Sequence, residues 1–107
     1  MVRITKSAAK KIIEKMKNEG LLGYGLRVAI VGGGLNGFEY TLSFNNKPSE
    51  SDLIFESNGV KIFIDPSSYL YLQEVTIDFV EKGKESGFVF HNPKPVSLLE
   101  KEFKELN

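Results

Sequence analysis

The first twenty residues alternate hydrophobic and charged positions with the period of a helix. Four apolar residues recur at i, i+3, i+4 and i+7: Ala9, Ile12, Ile13 and Met16. This spacing is typical of an amphipathic α-helix with one buried face. We therefore predict a helix over residues 6–19, with Thr5 capping its free N–H groups and Gly20 in the left-handed conformation that ends it.

After residue 25 the hydrophobic period changes to that of β-strands. Hydrophobic and polar residues alternate in several short runs, which indicates strands with one buried face. The runs are 26–30, 38–44, 53–56, 60–64, 75–80 and 88–90. Asn58-Gly59 is a strong signal for a hairpin between two of them, and residues 82–87 are predicted to form a turn.

Two helical segments complete the pattern. Pro66 removes a backbone donor, and Ser67 and Ser68 after it can cap a short helical turn over residues 69–72. Near the end of the chain, Leu99, Phe103 and Leu106 recur at i, i+4 and i+7, which predicts a second amphipathic helix over residues 96–106.

These elements predict a mainly β domain that is α+β by content. Because the strands follow one another without helical crossovers, we expect a compact sandwich or pseudo-barrel of antiparallel or mixed strands. The N-terminal helix and a C-terminal helix would pack against it. A length of 107 residues fits one domain spanning residues 1–107.

Composition excludes several classes of protein. The chain has 14 basic and 14 acidic residues, interspersed along its length, so no basic surface favours nucleic acid. The absence of cysteine excludes disulfides and thiolate ligands. No secretion signal or long apolar run is present, so we expect no membrane association and a cytoplasmic location.

A glycine-rich stretch over residues 32–37 separates the first two predicted strands. Because it joins a strand to a strand and opens no helix, it lacks the geometry of a dinucleotide or P-loop phosphate site. Its tip consists of Leu35 and Asn36, a hydrophobic residue and a neutral amide. The glycines of this loop therefore indicate a specific backbone conformation, but the loop carries no side chain for catalysis.

Residues 33–40 match the pattern Gly-Gly-X-X-Gly-Phe-X-Tyr, and further motifs follow along nearly the whole chain. On these residues the sequence resembles the HesB-like family of A-type iron-sulfur carriers, which includes IscA, SufA and ErpA. The resemblance implies a HesB-like fold. The other matching positions are 4–5, 8–12, 25–28, 52, 65–68, 72, 77–79, 87–90 and 92–93.

The resemblance also implies three cysteine ligands, one in the glycine motif and a Cys-X-Cys pair near the C-terminus. In this chain Leu35 occupies the first position, and counting from Asn92-Pro93 places about Leu99 and Lys101 at the other two. Leucine has no lone pair and protonated lysine is a poor ligand, so the sulfur ligands that select iron-sulfur clusters are missing. We expect no cofactor and no metal site.

Other residues do not replace these ligands. His91 is the only imidazole and lacks partners at a metal-binding spacing, so it is interpreted as a structural or surface histidine. Glu39, Asp65 and Asp78 are interpreted as strand-edge or turn residues. No nucleophile with a partnered base is present, so we predict no catalytic residue and no enzyme.

The leading hypothesis is a non-catalytic scaffold that binds a partner, either a second copy in a homo-oligomer or an iron-sulfur assembly protein. An equally weighted interpretation is that its apolar residues pack the domain's own core or a homodimer interface. An alternative is an iron or cluster carrier with non-canonical or shared ligands, and a small-ligand binder or enzyme using the loop N–H groups ranks last. The candidate surface comprises Gly33, Gly34, Leu35, Asn36, Gly37, Leu99, Phe103 and Leu106.

Overall fold

The computed structural model describes residues 1–34 and 37–93. The elements in chain order are β1 (Arg3–Ile4), α1 (Lys6–Asn18), β2 (Gly25–Gly34), β3 (Gly37–Asn45), β4 (Leu53–Ser57), β5 (Val60–Ile64), α2 (Pro66–Leu72), β6 (Thr76–Lys82) and β7 (Glu85–His91). The predicted mainly β architecture is confirmed. The helix predicted over residues 96–106 lies outside the described residues.

The strands form two mixed sheets. One has three strands in the order β1-β6-β7, and the other has four strands in the order β3-β2-β5-β4. β1 pairs with β6 and β2 pairs with β5 in parallel, whereas the remaining neighbours are antiparallel. Consequently β3 and β7 are edge strands of different sheets among the described strands.

The N-terminal helix forms where its period predicts. The Oγ1 atom of Thr5 accepts a hydrogen bond from the Ala8 N–H at 3.2 Å, and Gly20 has φ of +72° after the helix. However, the side chain of Ile13 is 38% exposed, whereas Ala8 is fully buried. The prediction that Ile13 belongs to the buried face is wrong because α1 packs on β6 and β5 along the line through Ala8, Ala9, Ile12 and Met16.

The hydrophobic core lies between α1 and the inner faces of the two sheets. Its most buried strand residues, all at most 1% exposed, are Ile4, Leu26, Val28, Ile62, Ile64 and Ile77. Burial decreases towards β3 and β7, where the inward-facing hydrophobic residues whose side chains the structure describes are only half-buried. These residues are Tyr40, Leu42, Phe44, Phe88 and Phe90. The described core is therefore buried along β2, β5 and β6 and less covered, with half-buried side chains, along β3 and β7.

Three local features differ from the sequence expectation. The predicted glycine loop is largely strand, because β2 extends to Gly34 and β3 begins at Gly37. The predicted turn at 82–87 is limited to residues 83–84, because pairing between β6 and β7 continues to Lys82 and Glu85. β1 has two residues and no periodicity of its own, and it exists only through pairing with β6.

Candidate functional site

The glycine stretch forms the end of the long hairpin made by β2 and β3. Val31 pairs with Glu39 and Gly34 pairs with Gly37, so residues 32 and 33 oppose residue 38 alone. This is a β-bulge, and its first residue, Gly32, has φ of +68°, which residues with a Cβ atom rarely adopt. The bulge increases the local twist and sets the direction of the hairpin end.

Helix α2 supports this hairpin on one side. The N–H of Ile30 in β2 donates to the Oγ atom of Ser68 at 3.2 Å, and Ser68 is only 7% exposed. The N–H of Ser68 donates in turn to Asp65 Oδ2 at 2.9 Å. This chain of hydrogen bonds fixes the position of α2 beside the last part of β2.

Asp65 caps α2, which corrects the prediction that Ser67 and Ser68 provide the cap. Its carboxylate accepts hydrogen bonds from the Ser68 N–H and from the Ser67 hydroxyl, the latter at 2.6 Å. Burial raises the pKa of Asp65, but hydrogen bonds from both serines outweigh this effect, so the pKa lies below its ordinary value. Because Asp65 precedes Pro66 at the first helical turn, the helix starts earlier than predicted.

The end of β7 lies against the same hairpin. The rings of Tyr40 and Phe90 stack with their centroids 4.5 Å apart. The amide nitrogen of Asn92 donates to the Tyr40 hydroxyl at 3.3 Å and to the carbonyl of Tyr71 at 2.7 Å. Pro93 follows directly, so the chain leaves the described domain beside β3.

An ion pair holds the polar loop between β3 and β4 against the outer face of β2. Arg27 donates two hydrogen bonds to the carboxylate of Asp52, whose side chain is 1% exposed, and a third to Asn45 Oδ1 at 2.6 Å. The Ser49 N–H also donates to Asp52. The hydrogen bond from Arg27 is the main reason that the pKa of Asp52 lies below its ordinary value. The polar groups of Arg27, Asp52 and Asn45 are hydrogen-bonded to one another. We therefore interpret this ion pair as structural.

The carboxylates singled out from the sequence are separated in the structure. Asp78 lies in β6 and accepts hydrogen bonds from the hydroxyls of Thr5 at 2.7 Å and Ser7 at 3.1 Å. The bond from Thr5 is the largest cause that lowers the pKa of Asp78. Glu39 is exposed on β3, and His91 is exposed at the end of β7.

The donor set does not fit an iron-sulfur cluster. The sequence has no cysteine, and thiolates are the usual ligands of such clusters. Within residues 1–34 and 37–93, no group of three or more His, Asp or Glu side chains is arranged to hold a metal ion. No step involving such a cluster is therefore derived from this site.

The candidate surface predicted from the sequence is only partly described. Gly34 and Gly37 pair with each other at the end of the hairpin, and Gly33 lies in the bulge beside them. The other predicted positions lie outside the described residues: Leu35, Asn36, Leu99, Lys101, Phe103 and Leu106. The structure does place Asn92, near the end of the described residues, against Tyr40 of the hairpin.

The side chains that create this juxtaposition were not predicted from residue spacing. Tyr40, Ser68, Phe90 and Asn92 connect β3, α2 and the end of β7. Two features of the sequence could have indicated these contacts. Tyr40 is the last residue of the glycine motif, and Asn92 precedes a proline. Their partners are distant in the sequence, so neither signal identified the contacts.

Among the described helices, none is long and apolar enough to span a membrane.

Known proteins resemble this chain in both sequence and fold. The model of a family described as iron-sulphur cluster biosynthesis matches residues 1–96. The chain is 40% identical over 92 residues to the iron-binding protein IscA of Xenorhabdus nematophila, covering 86% of this chain and 85% of that protein. It is 43% identical over 93 residues to a putative iron-sulfur cluster insertion protein ErpA of Azoarcus sp., covering 87% and 80%.

Two solved structures share the fold. Escherichia coli SufA, described as involved in biosynthesis of iron-sulfur clusters, superposes with a TM-score of 0.73 at 32% identity, covering 87% of this chain and 86% of that one. A crystal structure of IscA with the [2Fe-2S] cluster gives a TM-score of 0.72 at 26% identity, covering 87% and 83%.

Proposed function

The chain belongs to the iron-sulphur cluster biosynthesis family, and on this basis we propose that it is a non-catalytic, partner-binding protein of iron-sulfur cluster assembly. The observation that supports the proposal is a retained fold combined with a chain that contains no cysteine. At the hairpin end, where the family resemblance places its first ligand, this chain has Leu35.

Ligand chemistry supports this proposal over a carrier role. Iron-sulfur clusters are bound mainly through cysteine thiolates, with histidine in a minority of sites. Leu35 and Leu99 offer no lone pair, and the ammonium of Lys101 offers none while it is protonated. A cluster would need ligands from another molecule.

The hairpin is suited to a protein contact because its base is held rigidly. The hydrogen bond from Ile30 to Ser68 and the stacking of Tyr40 on Phe90 hold the base of the hairpin from two sides. Val31, one residue before the bulge, is 43% exposed and adds apolar surface near the end. A hydrophobic residue carried by a hairpin whose base is already held in place would bind a partner at a low cost in conformational entropy. The partner would be a second copy or an iron-sulfur assembly protein, such as a cysteine-bearing member of the family.

The contact can be tested by placing a charge at the tip. We expect Leu35→Asp to weaken binding to a purified cysteine-bearing family member, or self-association, because an unpaired charge in an apolar contact costs several kcal/mol. Leu22→Asp is the matched control, since it makes the same substitution at a leucine that is 62% exposed and lies outside the candidate surface, and it should leave both associations unchanged. Titration calorimetry and light scattering measure the two associations. Equal association of wild type and Leu35→Asp in both assays would contradict the proposed contact.

The carrier alternative has its own experiment. The purified protein is incubated anaerobically with iron and sulfide, desalted, and assayed for bound iron, acid-labile sulfide and the visible spectrum. We expect no stoichiometric cluster. Stoichiometric iron and sulfide would replace our proposal with a carrier that uses exogenous ligands or ligands shared between chains.

A further inference from the structure

A groove runs along the less covered side of the core. It lies between the C-terminal half of α1 and the edge strands β3 and β7, and it has a volume of about 440 Å³. Its floor is apolar and includes Leu42, Phe44 and Phe88, all half-buried, while Lys15 of α1 and Glu19, the residue after α1, lie at its rim. These floor residues pack against the buried core, so covering the groove would complete their burial.

We propose that this groove is the docking site for residues 96–106 of the same chain. The 14 residues from Lys94 to Asn107 follow Pro93, and β7, the strand from which they continue, itself lines the groove through Phe88. The inference does not depend on the proposed function. It assigns Leu99, Phe103 and Leu106 to the domain itself and leaves the hairpin end as the surface for a partner.

The segment is long enough to reach from the end of β7, beside Tyr40, along β3 to the groove residue Phe44. Phe90 stacks on Tyr40, and Phe88 lines the groove together with Leu42 and Phe44. From Tyr40 to Phe44 a strand extends about 13 Å, at about 3.3 Å per residue. A helix over residues 96–106 would be about 16 Å long, and the two residues after Pro93 leave room for the chain to reverse direction.

The distribution of apolar residues in the segment fits one groove-facing stripe. At about 100° per residue, Val96, Leu99, Phe103 and Leu106 fall on one side of a helix. Lys101 falls opposite the centre of that stripe, Leu98 is the one hydrophobic residue of the predicted helix outside it, and charged residues occupy most of the remaining surface. The side chain of Lys101 would therefore point to solvent when the stripe contacts Leu42, Phe44 and Phe88.

Covalent attachment favours the chain's own segment over one from a second copy. A segment joined by a short linker has an effective concentration in the millimolar range at a nearby site. A second copy would need to be present at a comparable concentration to compete. Docking within one chain is therefore the expected arrangement in dilute solution.

A single tryptophan can report on this docking, because the chain contains no tryptophan. In the full-length Phe103→Trp variant we expect a blue-shifted emission maximum and slow quenching by acrylamide at concentrations where the protein is monomeric. Adding Leu99→Asp places a charge in the stripe, and we expect emission and quenching to become those of an exposed indole. Adding Lys101→Asp instead introduces the same side chain on the opposite side, and the indole should stay protected.

Hydrogen exchange provides a second readout that needs no tryptophan. In the otherwise unmodified full-length chain, we expect amides of β3 and β7 to exchange about tenfold faster in Leu99→Asp than in Lys101→Asp, which corresponds to a loss of about 1.4 kcal/mol of local stability. An exposed indole in Phe103→Trp, with equal exchange in both aspartate variants, would overturn the proposal. Protection that appears only as the chain dimerises would overturn it too, because the occupant would then be a second copy.

Discussion

The ring of Tyr40 in β3 stacks on the ring of Phe90 in β7, with centroids 4.5 Å apart and planes inclined by 7°. Because β3 and β7 are edge strands of different sheets, this stack connects the two sheets on the less covered side of the core. Asn92 adds hydrogen bonds from the end of β7 to Tyr40 and to the carbonyl of Tyr71. The end of β7 is thereby held against the hairpin.

We expect Phe90→Ala to lower the free energy of unfolding by about 2 kcal/mol, less than for a fully buried phenylalanine because Phe90 is half-buried. Tyr40→Phe keeps the stacked rings and removes only the hydroxyl, so its cost should be about 0.5–1.5 kcal/mol. Urea denaturation monitored by circular dichroism measures both. Equal costs for the two variants would show that the stack itself contributes little.

The pairing of Arg27 and Asp52 predicts a pH dependence of stability. Because the pKa of Asp52 is lower in the folded chain than in the unfolded chain, its stabilising contribution is present above about pH 3.9, the ordinary value for aspartate. It is lost as pH falls through the folded-state pKa. Asp52→Asn should therefore destabilise the protein by about 3 kcal/mol at neutral pH, since it breaks a buried pair.

The difference in unfolding free energy between wild type and Asp52→Asn should shrink as pH decreases below about 4. Denaturation curves at a series of pH values measure it. Glu50→Gln is the control, because it removes a carboxylate from an exposed residue of the same loop. A difference that stays constant down to acidic pH would mean that the Asp52 charge is not what stabilises the loop.

Gly25 leaves space for an aromatic ring. A Cβ atom at this position would lie 2.3 Å from the Cε2 atom of Phe63, whose side chain is 2% exposed. We expect Gly25→Ala to cost about 1–3 kcal/mol through overpacking. Gly87→Ala is the matched control, since a Cβ atom there meets nothing within 4 Å, and it should change stability by about 0.5 kcal/mol or less.

A double-mutant cycle identifies the cause. In a Phe63→Leu background the clash with Gly25→Ala is relieved, so the cost of Gly25→Ala should fall well below its value in the wild type. Thermal and urea unfolding of the four proteins supply the cycle. Additive costs would indicate that Gly25 is required for a reason other than space for Phe63.

The bulge in β2 predicts a specific order of substitutions at Gly32. A Cβ atom there meets nothing, so the strain of φ +68° alone should make Gly32→Ala cost about 1–2 kcal/mol. Gly32→Asn should cost less, because asparagine tolerates the left-handed region better than alanine. Unfolding free energies from urea denaturation give the order. An alanine variant as stable as the wild type would show that the backbone relaxes without the bulge.

Much of the fold was predictable because local periodicity carries it. The helical spacing that ends at Met16 and the strand alternation around Val28 and Ile62 each indicate an element and its buried face. Gly20 and Asn58-Gly59 marked boundaries that the structure retains, with positive φ at all three residues. The missing cysteines are likewise a property of the sequence, and they exclude thiolate ligands whatever the chain's conformation.

Tertiary structure decided how these elements combine. Periodicity identifies a buried face but not the element that covers it, so Ile13 was misplaced by about a quarter turn and β1 was missed. The contact of Tyr40 with Phe90 and the hydrogen bond from Ile30 to Ser68 depend on partners far away in the sequence. Only the tertiary structure brings β3 and β7 together, because they belong to different sheets and each is hydrogen-bonded to another strand. For that reason the groove between these strands, unlike the strands themselves, could not be read from residue spacing.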